Sequence, residues 1–571
     1  MADIRQILAN INAVLWNETW IFIIAGTGVL FTIWSGFSQY RALTHGAKVV
    51  RGGYDDPKDP GAINHFQALS AALSGTVGLG NISGVALAIM LGGPGAMFWM
   101  WIVGILGMAI KLTEVTLSML YRNTDDPDNP HGGPMWVADK AVERLRPEFA
   151  WLGKTLAVMF SICIMTSAIT GGNMFQAWSV ADITDEYFDV QGWISGLVLA
   201  IVVAVVLIGG IKRIGKFAGT LVPLMVAAYV IAGSWVLLDN YEAIPSLLVL
   251  MATSAFSSTD AAGAFIGGTA GSAFMFGMKR AIFSNEAGQG SSPMAHAAAK
   301  TDEPVREGLV AGMEPFIDTI VVCTFTALII LSTGIWNRGP DVQFAAPPAI
   351  SVVADGYAFS DTRIEPGDWR PGETVTMVVR AGENSVTGDS LHKVAGIIEA
   401  SDGGFLVAWN TYRGPGEPVL EHNGFYREYV GATLTAKAFD SVQPGLGKWL
   451  ITIASWAFAL STIIAWGYYG EQGIVYIFGD RAVLGYRILY CAMTFIATLG
   501  FIKTSSDLDN LSGIGLGIIV YANLPILWLF GYQAMRAYRD YIGRLKEGQM
   551  GPDHPPPSLD DLLSGRDVSP N

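Results

Sequence analysis

The chain has 571 residues, 51% of them hydrophobic and only 15% charged, with a mean hydropathy of +0.40. That balance excludes an ordinary soluble enzyme and predicts a polytopic membrane protein whose core lies in the bilayer. The net charge of −14 falls largely in loops, in an inserted segment and in the tail, so it reads as solvation and not as a surface for nucleic acid.

The first twenty residues lack the basic start, short apolar core and small-residue site of a cleaved leader, and are expected to remain on the chain. Ile4, Ile7 and Leu8 give this stretch an apolar face suited to the membrane surface, and Trp20 to Phe37 follows as a first span. Arg41, Lys48, Arg51 and Lys58 place the connector 41–64 in the cytoplasm and the N-terminus outside. The next segment, His65 to Leu91, is long enough to cross a bilayer, but Ser74 to Asn81, SGTVGLGN, interrupts it. Irregular backbone at that depth is tolerated only where it lines a cavity. Its freed amides then suit a carboxylate and its freed carbonyls a small cation, as in discontinuous transporter helices. The competing reading is that Gly75, Gly78 and Gly80 only let helices pack closely.

Apolar segments 97–121, 152–180, 193–210 and 217–238 follow, with connecting charges that alternate in sign as the positive-inside rule requires. Lys111 and Glu114, three apart on the first of these, are expected to pair. Residues 265–299 form a second peculiar segment, too polar around Lys279 to Gly290 for a lipid-facing span and glycine-punctuated from Phe283 to Gly290. Two interrupted helices suggest two repeats. Span 308–335 holds a buried acid, Asp318, with no role beyond ion pairing or gating. Over 337–442 the apolar runs stop, and stretches such as ETVTMVVRAG, GGFLVAWNTY and YVGATLTAKAFD read as strands of a β-rich external insert. Spans 446–468, 484–502 and 509–535 resume, and Arg536, Arg539, Arg544 and Lys546 put the C-terminus inside. The proline-rich tail reads as disordered. Cys163, Cys323 and Cys491 sit in separate apolar segments and predict neither disulfides nor a metal site.

The expected fold is therefore an all-α polytopic membrane protein of about eleven transmembrane helices. It is arranged as a leading helix and a 5+5 inverted repeat with two broken helices, plus the insert. Its divisions are 1–64, 65–240 as the first repeat, 241–336 opening the second, 337–442 as the insert, 443–540 closing the second repeat, and 541–571 as a cytoplasmic tail.

TVGLGNISGVALAI, GGPMW, GNMFQ, FSNEAGQGSSPMAHAAAKT and AWGYYGE together resemble the alanine or glycine:cation symporter family, which has the leucine-transporter-like fold. The resemblance covers all eleven spans and fails across 337–442, where family members usually have a short external connection. It implies a multi-pass protein of the cell membrane, the inner membrane of a bacterium. It also implies sodium-coupled uptake of small neutral amino acids such as alanine or glycine, with Na⁺ as coupling ion, no other cofactor and no enzymatic step. Proton coupling on the same fold, using Glu286, Asp318 and the histidines, is one alternative. The other is a non-transporting sensor whose insert binds an unidentified partner.

The substrate residues implied are Thr76, Gly78, Leu79, Gly80, Asn81, Gln176, Ile282, Asn285 and Trp466, with the last as a bulky lid. The implied sodium ligands are Ser74, Thr76, Val77, Asn81, Ser461 and Thr462. Glu286 is left outside both sets, because pairing with Lys279 or Arg280 would account for it. For Asn81 and Gln176 the simpler reading is interhelical hydrogen bonding, for Ser461 and Thr462 back-bonding to their own helix, and for His65 and His296 a structural role.

Overall fold

The computed structural model describes residues 2–56, 58–257, 269–365, 367, 369–383, 388–401, 404–429, 431–500, 505–550 and 556–564. Among them, seven helices are long and apolar enough to cross a bilayer, or eight if the bent pair His65–Thr76 and Gly80–Gly92 forms one span. Gly192–Leu207 and Tyr241–Thr253 are apolar but shorter. Eleven spans are therefore not reached by length and composition alone. The beginning of the second interrupted segment, 265–268, and the last two residues of segment 484–502 lie outside the described residues.

The two interruptions differ. His65–Thr76 opens on a reciprocal cap, Asn64 Oδ1 accepting from the Gln67 amide at 2.8 Å while Gln67 Oε1 accepts from the Asn64 amide at 3.2 Å. It stops at Val77 and resumes from Gly80 in a wide turn to Gly84, with a 50° bend between the halves. Ala270–Asn285 instead ends where Glu286 takes a left-handed conformation (φ 57°), and beyond it only the single turn Pro293–His296 is helical. The second break is thus a terminated helix followed by a folded loop. A wide turn at Phe316–Cys323 follows Pro315, whose ring cannot donate to the helix ladder, and this shifts the register so that Asp318 points into the bundle.

The helix Ala2–Leu15 packs on the C-terminal helix Ser505–Glu547, where Asn12 donates to Asn510 at 3.0 Å and Trp16 Nε1 to the Gly513 carbonyl at 2.8 Å. Ile7 stays exposed. The tail is not wholly irregular. Leu559–Ser564 is a short helix held by Arg144 on Asp560 and by Arg536 on the Leu562 carbonyl. Two acids in its first turn favour a helix start, and Leu562 is buried, so this part of the tail docks on the core.

The insert comprises β1 (Val342–Gln343), β2 (Ile350–Val353), β3 (Gly356–Phe359), β4 (Thr362–Ile364), β5 (Thr374–Arg380), β6 (Leu391–Ser401), β7 (Gly404–Trp409), β8 (Val419–Leu420) and β9 (Gly424–Arg427). The main sheet is antiparallel in the order β1-β9-β5-β6-β7-β4, with β8 on β5, while β2 and β3 form a separate hairpin. Alternation along β5 turns Val375, Met377 and Val379 into an apolar core with Val394, Ile398, Val407 and Phe425, distinct from the core of the helical bundle. Outside it, Arg380 grips Glu421 at 2.7 Å and holds that carboxyl below its ordinary value.

The stretch YVGATLTAKAFD is not a strand. Ala432–Val442 is a helix whose Leu434, Ala436, Ala438 and Phe439 are buried, and Thr435 bonds the Ile82 carbonyl at 3.3 Å, against the first break. Burial of that face on the bundle overrides the β preference of its threonines. The β-rich insert therefore ends before Ala432. A fragment spanning 338–429 should unfold cooperatively on its own, and Phe425→Ala should destabilise it by about 3–5 kcal/mol in chemical denaturation. A fragment without a cooperative transition would contradict this division.

Candidate functional site

Asp318 joins the two interruptions. Its Oδ1 accepts from Asn81 Nδ2 at 2.6 Å, and its Oδ2 accepts from the hydroxyls of Ser284 at 2.7 Å and Thr319 at 2.8 Å. Asn81 in turn uses its Oδ1 to accept the Gly78 amide at 2.9 Å, so one side chain caps a backbone donor freed by the break. All of these groups are buried, so each hydrogen bond replaces one that water cannot supply. The second loop is fixed from the other side. Glu114 Oε1 accepts from the Gly290 amide at 3.1 Å and from Asn523 at 2.6 Å, and Asn523 also donates to the Gly288 carbonyl.

Lys111 and Glu114 do not pair. Their positions on Ala96–Tyr121 turn them to different neighbours, and Lys111 Nζ meets Glu314 at 3.1 Å and Ser292 at 2.9 Å. Lys111 ends a buried chain of charges. His65 contacts Glu307, whose other oxygen is 2.6 Å from His296 Nδ1, and His296 Nε2 is 2.6 Å from Glu314. This chain ties the start of the first interrupted segment to the turn beyond the second break, so both histidines have placed partners. Removing His296 leaves two carboxylates short of a buried partner. His296→Ala should therefore destabilise the purified protein by about 3–5 kcal/mol, lowering its thermal midpoint, and an unchanged midpoint would contradict the chain's structural role.

Between the breaks lies a small cavity. Of the residues implied from the sequence, Thr76, Gly78, Gly80, Gln176, Thr462 and Trp466 line it together. Ser74, Val77, Leu79, Asn81, Ile282, Asn285 and Ser461 do not line it. Ser74 donates to the Ala71 carbonyl at 2.7 Å, Ser461 to the Phe458 carbonyl at 2.9 Å, and Val77, Leu79 and Ile282 are fully buried. Asn285 donates to Thr319 and accepts from the Ala287 amide at 3.0 Å, shaping its own loop, while Asn81 belongs to the Asp318 knot.

The approach of the elements is close. A Cβ on Gly78 would fall 2.4 Å from Thr462 Oγ1, and one on Gly172 would fall 2.3 Å from Trp466 Cγ, so bare backbone at both positions sets the width of the cavity. Thr462 Oγ1 and Gln176 Oε1 have no hydrogen-bond partner among the described residues. Each can accept a hydrogen bond from a group that enters the cavity.

Sequence reasoning missed Gly75, Gly171, Phe283, Glu286 and Leu516, which complete the wall. Glu286 does not depend on Lys279 or Arg280. Its carboxylate takes the Trp466 indole N–H at 3.0 Å and the Ser291 hydroxyl, while Lys279 lies over the Trp16 ring and Arg280 over Phe283. An acid at membrane depth was the available signal for Glu286. Leu516, in a plain apolar run, offered none.

A family described as the sodium:alanine symporter family matches this chain over residues 1–352 and 419–554, which leaves most of the insert outside the match. The sodium/alanine symporter AgcS of Methanococcus maripaludis is 35% identical over 86% of this chain and 88% of its own length. A putative sodium/proton-dependent alanine carrier protein, YrbD of Bacillus subtilis, is 32% identical over 96% of this chain and 94% of its own. The structure of MhsT with L-phenylalanine superposes with a TM-score of 0.48 at 14% identity, over 88% of this chain and 99% of that one.

Proposed function

Because the chain belongs to the sodium:alanine symporter family, we propose that it imports small neutral amino acids, alanine and glycine, together with Na⁺ by alternating access between two inverted repeats. The observation that carries this reading is the cavity between the two interrupted segments, small, buried and lined by acceptors without hydrogen-bond partners. Discontinuous helices meeting at a buried site are the pattern of secondary transporters with inverted repeats. The insert then faces outward and the C-terminus the cytoplasm.

In this reading the backbone of Gly78, Leu79 and Gly80 meets the substrate carboxylate. Gln176 and Trp466 bound its remaining sides. Thr76 and Thr462 hydroxyls, with carbonyls freed near Ser74 and Val77, hold sodium. Asn81, Ile282, Asn285 and Ser461 support the site from behind. Because both ligands draw on the same break, binding of each raises the affinity for the other.

The buried chain from His65 to Lys111 favours one second reading, in which protons replace sodium as the coupling ion. Uptake of radiolabelled alanine into proteoliposomes, once with an imposed sodium gradient at equal pH and once with an imposed proton gradient without sodium, separates the two. The sodium reading expects uptake driven by an inward sodium gradient and abolished without it. Uptake that follows only a proton gradient would overturn it.

Two substitutions test the finer assignments. Thr462→Val removes a hydroxyl that lacks a partner among the described residues, so the sodium midpoint for alanine binding should rise at least about tenfold, since a lost buried contact costs about 1–3 kcal/mol and about 1.4 kcal/mol is tenfold. Ser461→Ala removes a hydroxyl already bonded to its own helix and should leave the midpoint unchanged. Equal effects at both positions would contradict the assignment. Trp466 against Gly172 limits side-chain size, so glycine should compete with alanine and leucine should not, and leucine competing as well as glycine would refute the size limit.

A further inference from the structure

Glu286 is 2% exposed, and it brings a carboxylate to the wall of the cavity. Its two hydrogen-bond donors, Trp466 Nε1 and the Ser291 hydroxyl, are both neutral. A carboxylate offers about four acceptor sites, so two remain after these bonds. Among the described residues Glu286 forms no ion pair with a base, and Lys111 is bound to Glu314. The surroundings therefore do not balance Glu286, and no basic side chain among the described residues lines the cavity. A buried carboxylate without a basic partner is stabilised as the anion when a cation arrives beside it.

Two further acceptors face the same space without a partner, Gln176 Oε1 and Thr462 Oγ1. The wall of the cavity thus carries a carboxylate on the side of the second break and an amide oxygen beside Gly78 of the first, with Trp466 held against the carboxylate by its own N–H. A primary ammonium group carries three donors and one positive charge, and it matches this set where a neutral or anionic group does not.

We propose that Glu286 is the counter-charge for the α-ammonium group of the bound amino acid. This rests on the amino-acid symport reading above and deepens it. The substrate then lies with its carboxylate toward the first break and its ammonium toward the end of the second helix. Trp466, bonded to Glu286, closes over it. Since the indole N–H and the ammonium share one carboxylate, arrival of substrate and closure of the lid act on the same group.

The test compares binding of L-alanine with binding of propionate, which keeps the carbon skeleton and carboxylate but lacks the amino group, to purified full-length protein at saturating sodium. The wild type should bind alanine much more tightly. Glu286→Gln keeps size and an acceptor for the indole but removes the charge. It should weaken alanine at least tenfold, leave propionate unchanged, and leave unchanged the sodium-dependent thermal stabilisation measured without any amino acid. Glu286→Asp, which retains the charge, should retain the preference for alanine over propionate, and it supplies the same readout if the glutamine variant does not fold. Undiminished alanine binding in a folded Glu286→Gln protein would reduce Glu286 to a seat for Trp466 and overturn the proposal. A shift confined to the sodium stabilisation would assign the carboxylate to sodium and overturn it equally. Wild-type protein that binds neither alanine nor glycine would instead refute the symport reading itself, and this proposal with it.

Discussion

The buried carboxylate of Asp318 holds the architecture of the site together. Two chain segments that give up helical hydrogen bonds at membrane depth must satisfy the freed groups internally, because lipid cannot. Asn81 and Ser284, one from each interruption, both donate to Asp318, and Asn81 also caps the Gly78 amide. Without that shared acceptor the first break would hold unpaired donors and the second helix would lack a fixed position against it. The wide turn after Pro315 brings the acid to this point.

From this knot the remaining geometry follows by exclusion. The first break is held close enough to Leu446–Phe478 that only glycine fits opposite Thr462, and the turn at Gly171 and Gly172 seats Trp466 on bare backbone. A small cavity is left between them, with acceptors on its wall. Beyond it, the chain from His65 through Glu307, His296 and Glu314 to Lys111 clamps the ends of the two segments in an environment where each charge needs its neighbour. Movement of one interrupted segment against the other must pass through both contacts. These are the places where an alternating-access cycle would meet resistance.

Much of this was legible in the sequence. Among the described residues, long apolar runs identified the seven helices that are long enough to cross a bilayer, and SGTVGLGN marked the first break, since clustered glycines and polar side chains weaken a helix in the middle of a membrane-length segment. Six of the implied site residues converge on one cavity. Partner choice was less legible. Spacing suggested that Lys111 faces Glu114, yet a residue three positions along a helix can equally face a different neighbour, and here Glu314 and Asn523 take the two charges. Ala432–Val442 was misread because local β preference cannot register that its apolar face packs on the first break. Glu286 was set aside because two bases stood nearby in sequence, whereas in space an indole and a hydroxyl occupy its carboxylate.

The central claim is that amino acid and sodium occupy the space between the two breaks. A cryo-electron microscopy map of the protein prepared with L-alanine and sodium tests it most directly. The account predicts density for the amino acid between Gly78 and Trp466, with a separate ion density beside Thr462. Amino-acid density elsewhere in the bundle or on the insert, with this cavity empty, would contradict it.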